Sequence, residues 1–435
     1  MSDEASLTAG ELESKGVLLV QDGNHGEYRP RPDEFVPSGV SFIRASDMSD
    51  GIIHFDTAEH INQAAFQRIR KGVGRPGDVI FSSKGTVGKI AHAALDCPPF
   101  VCSPQTTFWR SLDESVLRQK YLFCFLSSPS FTEQWESRKG ETDMADYVSL
   151  TAQRELRVLL PSTAVQDSIV STLSPIDDRI QLNLKMNRLL VATGSALFRS
   201  WFVDFDPVTG KAEGRTPFGM TDEMAARLPS EFEETADGTI PKGWTVESLD
   251  SIANFRNGLA MQKYPPNESG SLPVVKIAEL RTDSSIGAQR AAADLPLNVI
   301  IDDGDVVFSW SGTLLVRVWC GGKAALNQHL FKVTSSRFPK WFYFGWTLEH
   351  LPEFEDIADD KKTTMGHIKR HHLTDAKVAV PPLPLIQAAD RILSPLLDRY
   401  VVNSVQNRSL RMLRDILLPP LVSGELRLAA RGESR

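Results

Sequence analysis

Leu173–Leu190 reads LSPIDDRIQLNLKMNRLL, and Leu393–Leu410 answers it with LSPLLDRYVVNSVQNRSL, 220 residues later. Leu, Ser, Pro, Asp, Arg, two Asn, Arg and Leu recur at matching places. Steps of four and three from Ile169 give Leu173, Ile176, Ile180, Asn183, Asn187, Leu190, Gly194 and Leu197. The second copy gives Ala389, Leu393, Leu396, Tyr400, Asn403, Asn407, Leu410, Arg414 and Leu417. A seam repeating every ~3.5 residues marks a coiled coil, here with two polar layers in its middle. Two long amphipathic helices pairing antiparallel are predicted, with Asn183, Asn187, Asn403 and Asn407 meeting in the seam and setting its register. The plainer alternative packs each helix on its own globular domain. Each copy also carries Ser-Pro, at Ser174-Pro175 and Ser394-Pro395. Serine caps helices, proline suits a first turn, and Asp177 and Asp178 suit the positive end of a helix dipole. Proline cannot donate to the carbonyl four residues back, so a kink or break is expected at both.

The repetition extends outward from these helices. ELRVLLPSTAVQDSIVSTLSP matches DAKVAVPPLPLIQAADRILSP at the same shift. PGDVIFSSKGTVGKI, from Pro76, resembles DGDVVFSWSGTLLVRV, from Asp303, at a shift of 227. Gln105 in SPQTTFW finds a counterpart in Gln328 of NQHLFKV, and ALFRSWFVDF falls opposite ILLPPLVSGE. Short β-branched and aromatic runs such as DVIFSS, PVVKIAEL and DVVFSWSG, bounded by Gly, Asp and Pro, predict strands. With helical segments among them, each half reads as an α/β or α+β domain followed by a helix.

At 435 residues the chain has room for two or three domains, and 41% apolar with 24% charged residues is ordinary for a soluble protein. No apolar run approaches the ~18 residues of a membrane span, and the polar MSDEASLTAGELESK start argues against a leader peptide. The cytoplasm is the expected compartment. Four cysteines form no C-x-x-C pair, and His92, Cys97 and Cys102 lack a second matching ligand pair. Reduced, mostly buried thiols are expected. The net charge of −7 argues mildly against a nucleic-acid partner, but it is uneven. Arg68, Arg70, Lys71, Arg75, Lys84 and Lys89 surround one acid, Asp78, and KKTTMGHIKRHH from Lys361 to His372 contains none. Local basic faces on an acidic chain fit sequence-specific DNA binding and solvated loops alike.

Catalysis finds little support. CPPF at Cys97–Phe100 lacks the Asp or Asn of an amino-methyltransferase motif, and GTVGK at Gly85–Lys89 is too short for a P-loop. FDPVTGKAEGR offers acids near a lysine without the rest of a nuclease site.

The order of DGNHGEYRP, PGDVIFSSKGTVGKIA, LSPIDDRIQLNLKMNRLL with ALFRSWFVDFDP, IPKGW, TTMGHIKRHHL and LLPPLVSGELRL resembles the specificity subunit of type I restriction–modification enzymes over essentially the whole chain. The resemblance implies two pseudo-symmetric target recognition domains, at 1–160 and, with a linker, 206–384. They would be separated by conserved helical regions at 161–205 and 385–435. Each domain would read half of a split sequence in double-stranded DNA. The helices would fix the gap and dock two methyltransferase subunits, and restriction subunits would join them. The chain itself would hold no cofactor and no metal; S-adenosylmethionine, ATP and magnesium would belong to partners. The 23 residues from Ile176 to Phe198 span ~35 Å at about 1.5 Å per residue, close to one turn of B-DNA at roughly 34–36 Å. The second half reads SWSGT where the first reads SSKGT, as expected if the halves recognise different bases.

The candidate DNA contacts are Asn24 and His25 in DGNHGE; Lys84, Thr86 and Lys89 after one strand; and Ser309, Trp310 and Arg317 in the second half. Lys361, Lys362, His367, Lys369 and Arg370 complete the set. For DGNHGE the alternative is an Asx-type turn, and for the others a solvated or structural role. Gln105 and Gln328 can contact adenine, but their matched positions favour a shared structural bond. Phe198, Trp201, Phe202 and Phe205, with Leu417, Leu418 and Leu421 in the matched ending, read either as partner-docking patches or as seals of each helix onto its own core. Two rival functions are a pseudo-dimeric enzyme, for which the halves share no acid/base set, and a coiled-coil adaptor without specific DNA binding.

Overall fold

A computed structural model describes residues 5–141, 146–215, 220–359 and 366–426. Lys361 and Lys362 lie outside them. The chain divides into two mixed α/β units, one of residues 1–178 with 411–435 and one of residues 179–410.

In the first unit the strand Ala5–Thr8 pairs antiparallel with Arg157–Leu160, so the chain start closes onto the strand ahead of the first long helix. A six-stranded sheet runs in the order Leu18–Asp22, Thr106–Ser111, Val79–Ser82, Ile90–His92, Gly51–Ile53, Met48–Ser49. A smaller sheet sets Phe100–Cys102 parallel to Val40–Ile43. The second unit repeats the scheme. Thr245–Ser248 pairs antiparallel with Lys377–Val380. Its main sheet runs Asn254–Asn257, Leu330–Thr334, Val306–Ser309, Leu315–Val318, and Ser271–Val275 lies parallel to Ala324–Leu326. The central strands VIFS and VVFS are buried at every position, which is why they read as continuous apolar runs rather than alternating ones.

The central helix is Thr163–Phe198 and the distal helix is Leu383–Val422, each unbroken through its Ser-Pro. Of the kink or break expected at Pro175 and Pro395, the break is absent, for an energetic reason. An interior proline costs about 3 kcal/mol. Ahead of Pro175, Ile169 and Leu173 are buried in the first core; ahead of Pro395, Leu385, Ile386, Ala389 and Leu393 are buried in the second. At roughly 1.5–3 kcal/mol per large side chain, losing that turn would cost more than the proline does. Each helix starts on its own domain. Buried Gln166 accepts from the Arg118 amide at 2.8 Å and donates to the carbonyls of Val116 and Pro161, both at 2.9 Å.

Within each unit the two helices run antiparallel. In the first, Arg414 pairs with Asp177 at 3.2 Å. In the second, Asn183 Nδ2 donates to Asn407 Oδ1 at 2.8 Å and Asn403 Nδ2 donates to Asn187 Oδ1 at 2.9 Å. All four amides are buried. The pairs obey an internal two-fold. The acceptors' own Nδ2 atoms reach matched backbone carbonyls, Asn407 to Ile180 at 3.4 Å and Asn187 to Tyr400 at 3.3 Å.

The aromatic helix ending is not a docking patch. Phe198, Trp201 and Phe202 are buried in the second unit's own core, and Phe205 packs partly buried against it. Phe202 lies 5.3 Å from Trp341 and Phe198 5.5 Å from Trp346. Gly345 makes room, since a Cβ there would stand 2.5 Å from the Phe198 ring. In the first unit Leu418 and Leu421 are likewise core residues, with Leu417 packed against them. These residues are core side chains of the unit in which each helix ends, which is not the unit in which it starts.

Candidate nucleic-acid interface

At one end of each main sheet four chain segments lie side by side, and the same backbone bonds tie them in both halves. In the first half the Gly23 amide donates to the Thr106 carbonyl at 2.9 Å and Asn24 to Cys102 at 2.7 Å. In the second half Gly258 donates to Leu330 at 3.0 Å and Leu259 to Leu326 at 3.0 Å. These crossings are close: a Cβ on Gly23 would stand 1.9 Å from the Ser103 carbonyl oxygen, and one on Gly258 2.0 Å from that of Leu326. Glycine is required at both. The Ser83 amide donates to the Gln105 carbonyl at 2.8 Å, and Trp310 to His329 at 3.4 Å. Gly85 donates to Asp146 and Gly312 to Gly366, both at 2.9 Å; Val148 donates back to Ser83 at 2.8 Å and Ile368 to Trp310 at 3.1 Å. Lys84 thus bridges Tyr147, and Ser311 bridges His367.

This pattern corrects one sequence match. Gln105 stands opposite His329, one residue beyond Gln328. Side chains therefore differ where the backbone is shared: Gln105 against His329, Tyr147 against His367, Ser83 against Trp310, Asp22 against Asn257.

The candidate contacts divide on this frame. Asn24 is buried and tied by its backbone amide to the Cys102 carbonyl, with its Oδ1 unpartnered among the described residues, so its side chain is not offered to a base edge. His25 beside it is exposed, 3.9 Å from Asp22. Lys84 and Thr86 are exposed in the loop after the strand. Lys89 is turned back, its Nζ donating to the Ala45 carbonyl at 2.7 Å. Ser309 is fully buried, its hydroxyl donating to the Ser311 carbonyl at 3.3 Å. Arg317 lies away from the frame, lining a cavity of about 630 Å³ with Phe198, Leu396 and Tyr400. Trp310 is half-buried, 5.8 Å from Phe331, and forms a wall between His329 at 6.0 Å and His367 at 6.3 Å. Arg370 donates to Asn257 Oδ1 at 2.9 Å over the Phe331 ring and stays exposed; Lys369 caps the start of the helix Arg370–Asp375 and is exposed too.

Part of the basic cluster is neutralised within the chain. Arg68 forms a bidentate pair with Glu34, and Arg110 with buried Asp78 at 2.6 and 2.7 Å. Burial pushes the Asp78 carboxyl above its ordinary range despite Arg110. Arg70, Lys71 and Arg75 remain exposed. Gly72 lies against the Gly23–Asn24 turn, a Cβ there falling 2.5 Å from the Asn24 nitrogen, so Lys71 is held beside that loop. Exposed cations around a polar sheet end suit phosphate contacts flanking base-edge contacts.

Sequence reasoning missed Tyr147, His329 and Gln153. Tyr147 stands 220 residues before His367, so extending the helix repeat upstream would have found it. Gln153 is buried; its Oε1 accepts from Thr107 Oγ1 at 2.8 Å and from Trp109 Nε1 at 3.2 Å, and its Nε2 donates to the Val148 carbonyl at 3.0 Å. No group of three or more metal-ligating side chains occurs among the described residues, and burial pushes the Cys124 and Cys320 thiols up to about 12. No described helix is long and apolar enough to cross a membrane.

Residues 241–401 match the type I restriction modification DNA specificity domain. The chain is 26% identical over 409 residues to the type I restriction enzyme MjaIX specificity subunit of Methanocaldococcus jannaschii, covering 91% of this chain and 88% of that protein. It is 23% identical over 405 residues to the HindI specificity subunit of Haemophilus influenzae, covering 81% of this chain and 87% of that one. The crystal structure of the type I restriction–modification S subunit from M. genitalium shares the fold, with a TM-score of 0.53 at 14% identity over 97% of both chains.

Proposed function

We propose that this chain, a member of the type I restriction–modification specificity subunits, reads a split sequence in double-stranded DNA, one half with each repeated domain. The observation that carries this reading is one backbone frame built twice, with different side chains at its exposed end. A protein that reads two different half-sites needs that combination; a coiled-coil adaptor has no use for two elaborated frames. Exposed Lys71, Lys84, Lys369 and Arg370 supply phosphate contacts, and polar side chains between them read base edges. The gap between half-sites is assigned to the seam register that the asparagine pairs hold.

The chain contributes recognition and no chemistry of its own. Two methyltransferase subunits bring S-adenosylmethionine, and restriction subunits bring ATP and magnesium. The test is co-expression of the chain with its cognate methyltransferase subunit in a host lacking other adenine methylation, followed by mapping of methylated adenines. A split motif with a fixed gap is expected, together with a copurifying complex. Methylation without a motif, or no complex, refutes the reading.

A further inference from the structure

We propose that the base-reading residues are the side chains at two matched places of the frame: Gln105 and Tyr147 in the first half, His329 and His367 in the second. The proposal rests on the DNA-reading function above and names the groups that carry it.

Three observations converge on these positions. The backbone at each is fixed identically in both halves: the carbonyls of Gln105 and His329 accept from Ser83 and Trp310, while Tyr147 and His367 bridge Lys84 and Ser311. A frame that is conserved within one chain while its side chains change separates the scaffold from what it displays. Burial then removes other candidates, since Ser83, Ser309 and Ser311 point into the domain. Gln105 is exposed, and Tyr147, His329 and His367 are half-buried at the sheet end.

The side-chain chemistry also fits. Glutamine can make a two-pronged contact with adenine, and tyrosine and histidine can donate or accept at a base edge. Gly85, at a φ of 79°, turns the loop beside Gln105, whose Nε2 lies 3.9 Å from where a Cβ on Gly85 would be. In the second half the Trp310 wall orients both imidazoles; His329 Nδ1 is buried, which leaves Nε2, 3.2 Å from Gln328 Nε2, as the ring atom that faces a base. Trp310 is accordingly a positioning residue.

The experiment maps adenine methylation made by the full chain with its methyltransferase subunit, for the wild type and for Gln105→Ala, His329→Ala and Lys84→Ala. Gln105→Ala should relax one base in one half of the motif by roughly 5- to 150-fold, the range for one bidentate base contact, leaving the other half unchanged. His329→Ala should do the same in the opposite half. Lys84→Ala should lower methylation at all sites with the motif intact, as loss of a phosphate contact does. Unchanged motifs in both alanine variants, or changes in both halves from one of them, overturn the proposal. A wild type that yields no split motif refutes the DNA-reading function instead. If Gln105→Ala leaves nothing to map, Gln105→Glu, of nearly the same shape but with acceptors only, decides: an altered base supports the proposal. An unaltered motif, or loss of all methylation again, overturns it.

Discussion

The asparagine seam permits a quantitative test. Asn183 and Asn407 are buried, and Asn183 Nδ2 donates both to Asn407 Oδ1 at 2.8 Å and to Gln406 Oε1 at 2.9 Å. Asn407→Leu leaves the Asn183 amide with one acceptor in place of two. Asn183→Leu deprives the Asn407 oxygen of its donor. Each single variant therefore strands part of a buried amide, costing about 1–3 kcal/mol, and regains part of that by burying a leucine. The double variant buries two leucines and strands neither partner. It should exceed the sum of the singles by about 1–2 kcal/mol, a coupling well above the ~0.3–0.5 kcal/mol scatter of independent sites. The assay is urea unfolding of the full chain followed by far-ultraviolet circular dichroism. Asn187 and Asn403 repeat the geometry through the internal two-fold and should give a coupling of the same size. Additive energies in both cycles would refute the pairing. With all four replaced by Leu, helix stability should hold or rise, while methylation mapping should show a broadened gap between half-sites.

Three further outcomes follow from the packing. Gly345→Ala puts a Cβ 2.5 Å from the Phe198 ring and should destabilise the second unit by about 1–3 kcal/mol, read as a lower melting temperature. Gln153→Ala strands the buried Trp109 indole and leaves the Thr107 hydroxyl only the longer bond to the Phe81 carbonyl; it should cost about 2–5 kcal/mol, with a shift in Trp fluorescence. The Arg68 guanidinium and the Arg31 amide hold the Glu34 carboxyl down to about 2, against an ordinary 4.5. The native state then binds fewer protons than the unfolded chain, so this stabilisation is complete above pH 4.5 and drains as pH falls toward 2. Glu34→Gln should flatten that part of the acid-unfolding profile, and an unaltered profile counts against the assignment.

The helices, their pairing direction and the strand-rich character of each half could be read from letters, because a seam of period ~3.5 and short β-branched runs report directly on burial. What failed did so for identifiable reasons. Ser-Pro looked like a helix start, but local capping preference is weaker than the burial of Ile169, Leu173 and Leu393 just ahead of it. The Gln105–Gln328 match was an accident of spelling: sequence spacing cannot see that the carbonyls of Gln105 and His329 take the matching bonds. The cluster of Phe198, Trp201 and Phe202 has the composition of an interface and of a core alike, and only Trp341, Trp346 and Gly345 opposite it decide which. Asn24, in a turn, and Ser309, at the end of a strand, are polar yet both are buried, and a linear pattern does not register a polar side chain turned inward.

The two-fold of the seam bears on how the chain is made. Donors Asn183 and Asn403 face acceptors Asn407 and Asn187, so the stretch around Asn183–Asn187 can form the same two amide bonds with a second copy of itself, short only of the bonds to Gln406 and Ser404, whose places are Met186 and Leu184 in the first copy. Asn187 and its partner Asn403 are 216 residues apart, which at about 5–20 residues per second leaves the first helix waiting roughly 10–40 s for its mate. During that interval the central helices of neighbouring chains on one polysome are competing partners. The intramolecular match prevails once the distal helix emerges, because tethering gives it an effective concentration on the order of millimolar. The same symmetry that gives one chain two equivalent arms therefore makes its assembly sensitive to the rate of synthesis and to the crowding of ribosomes on its message.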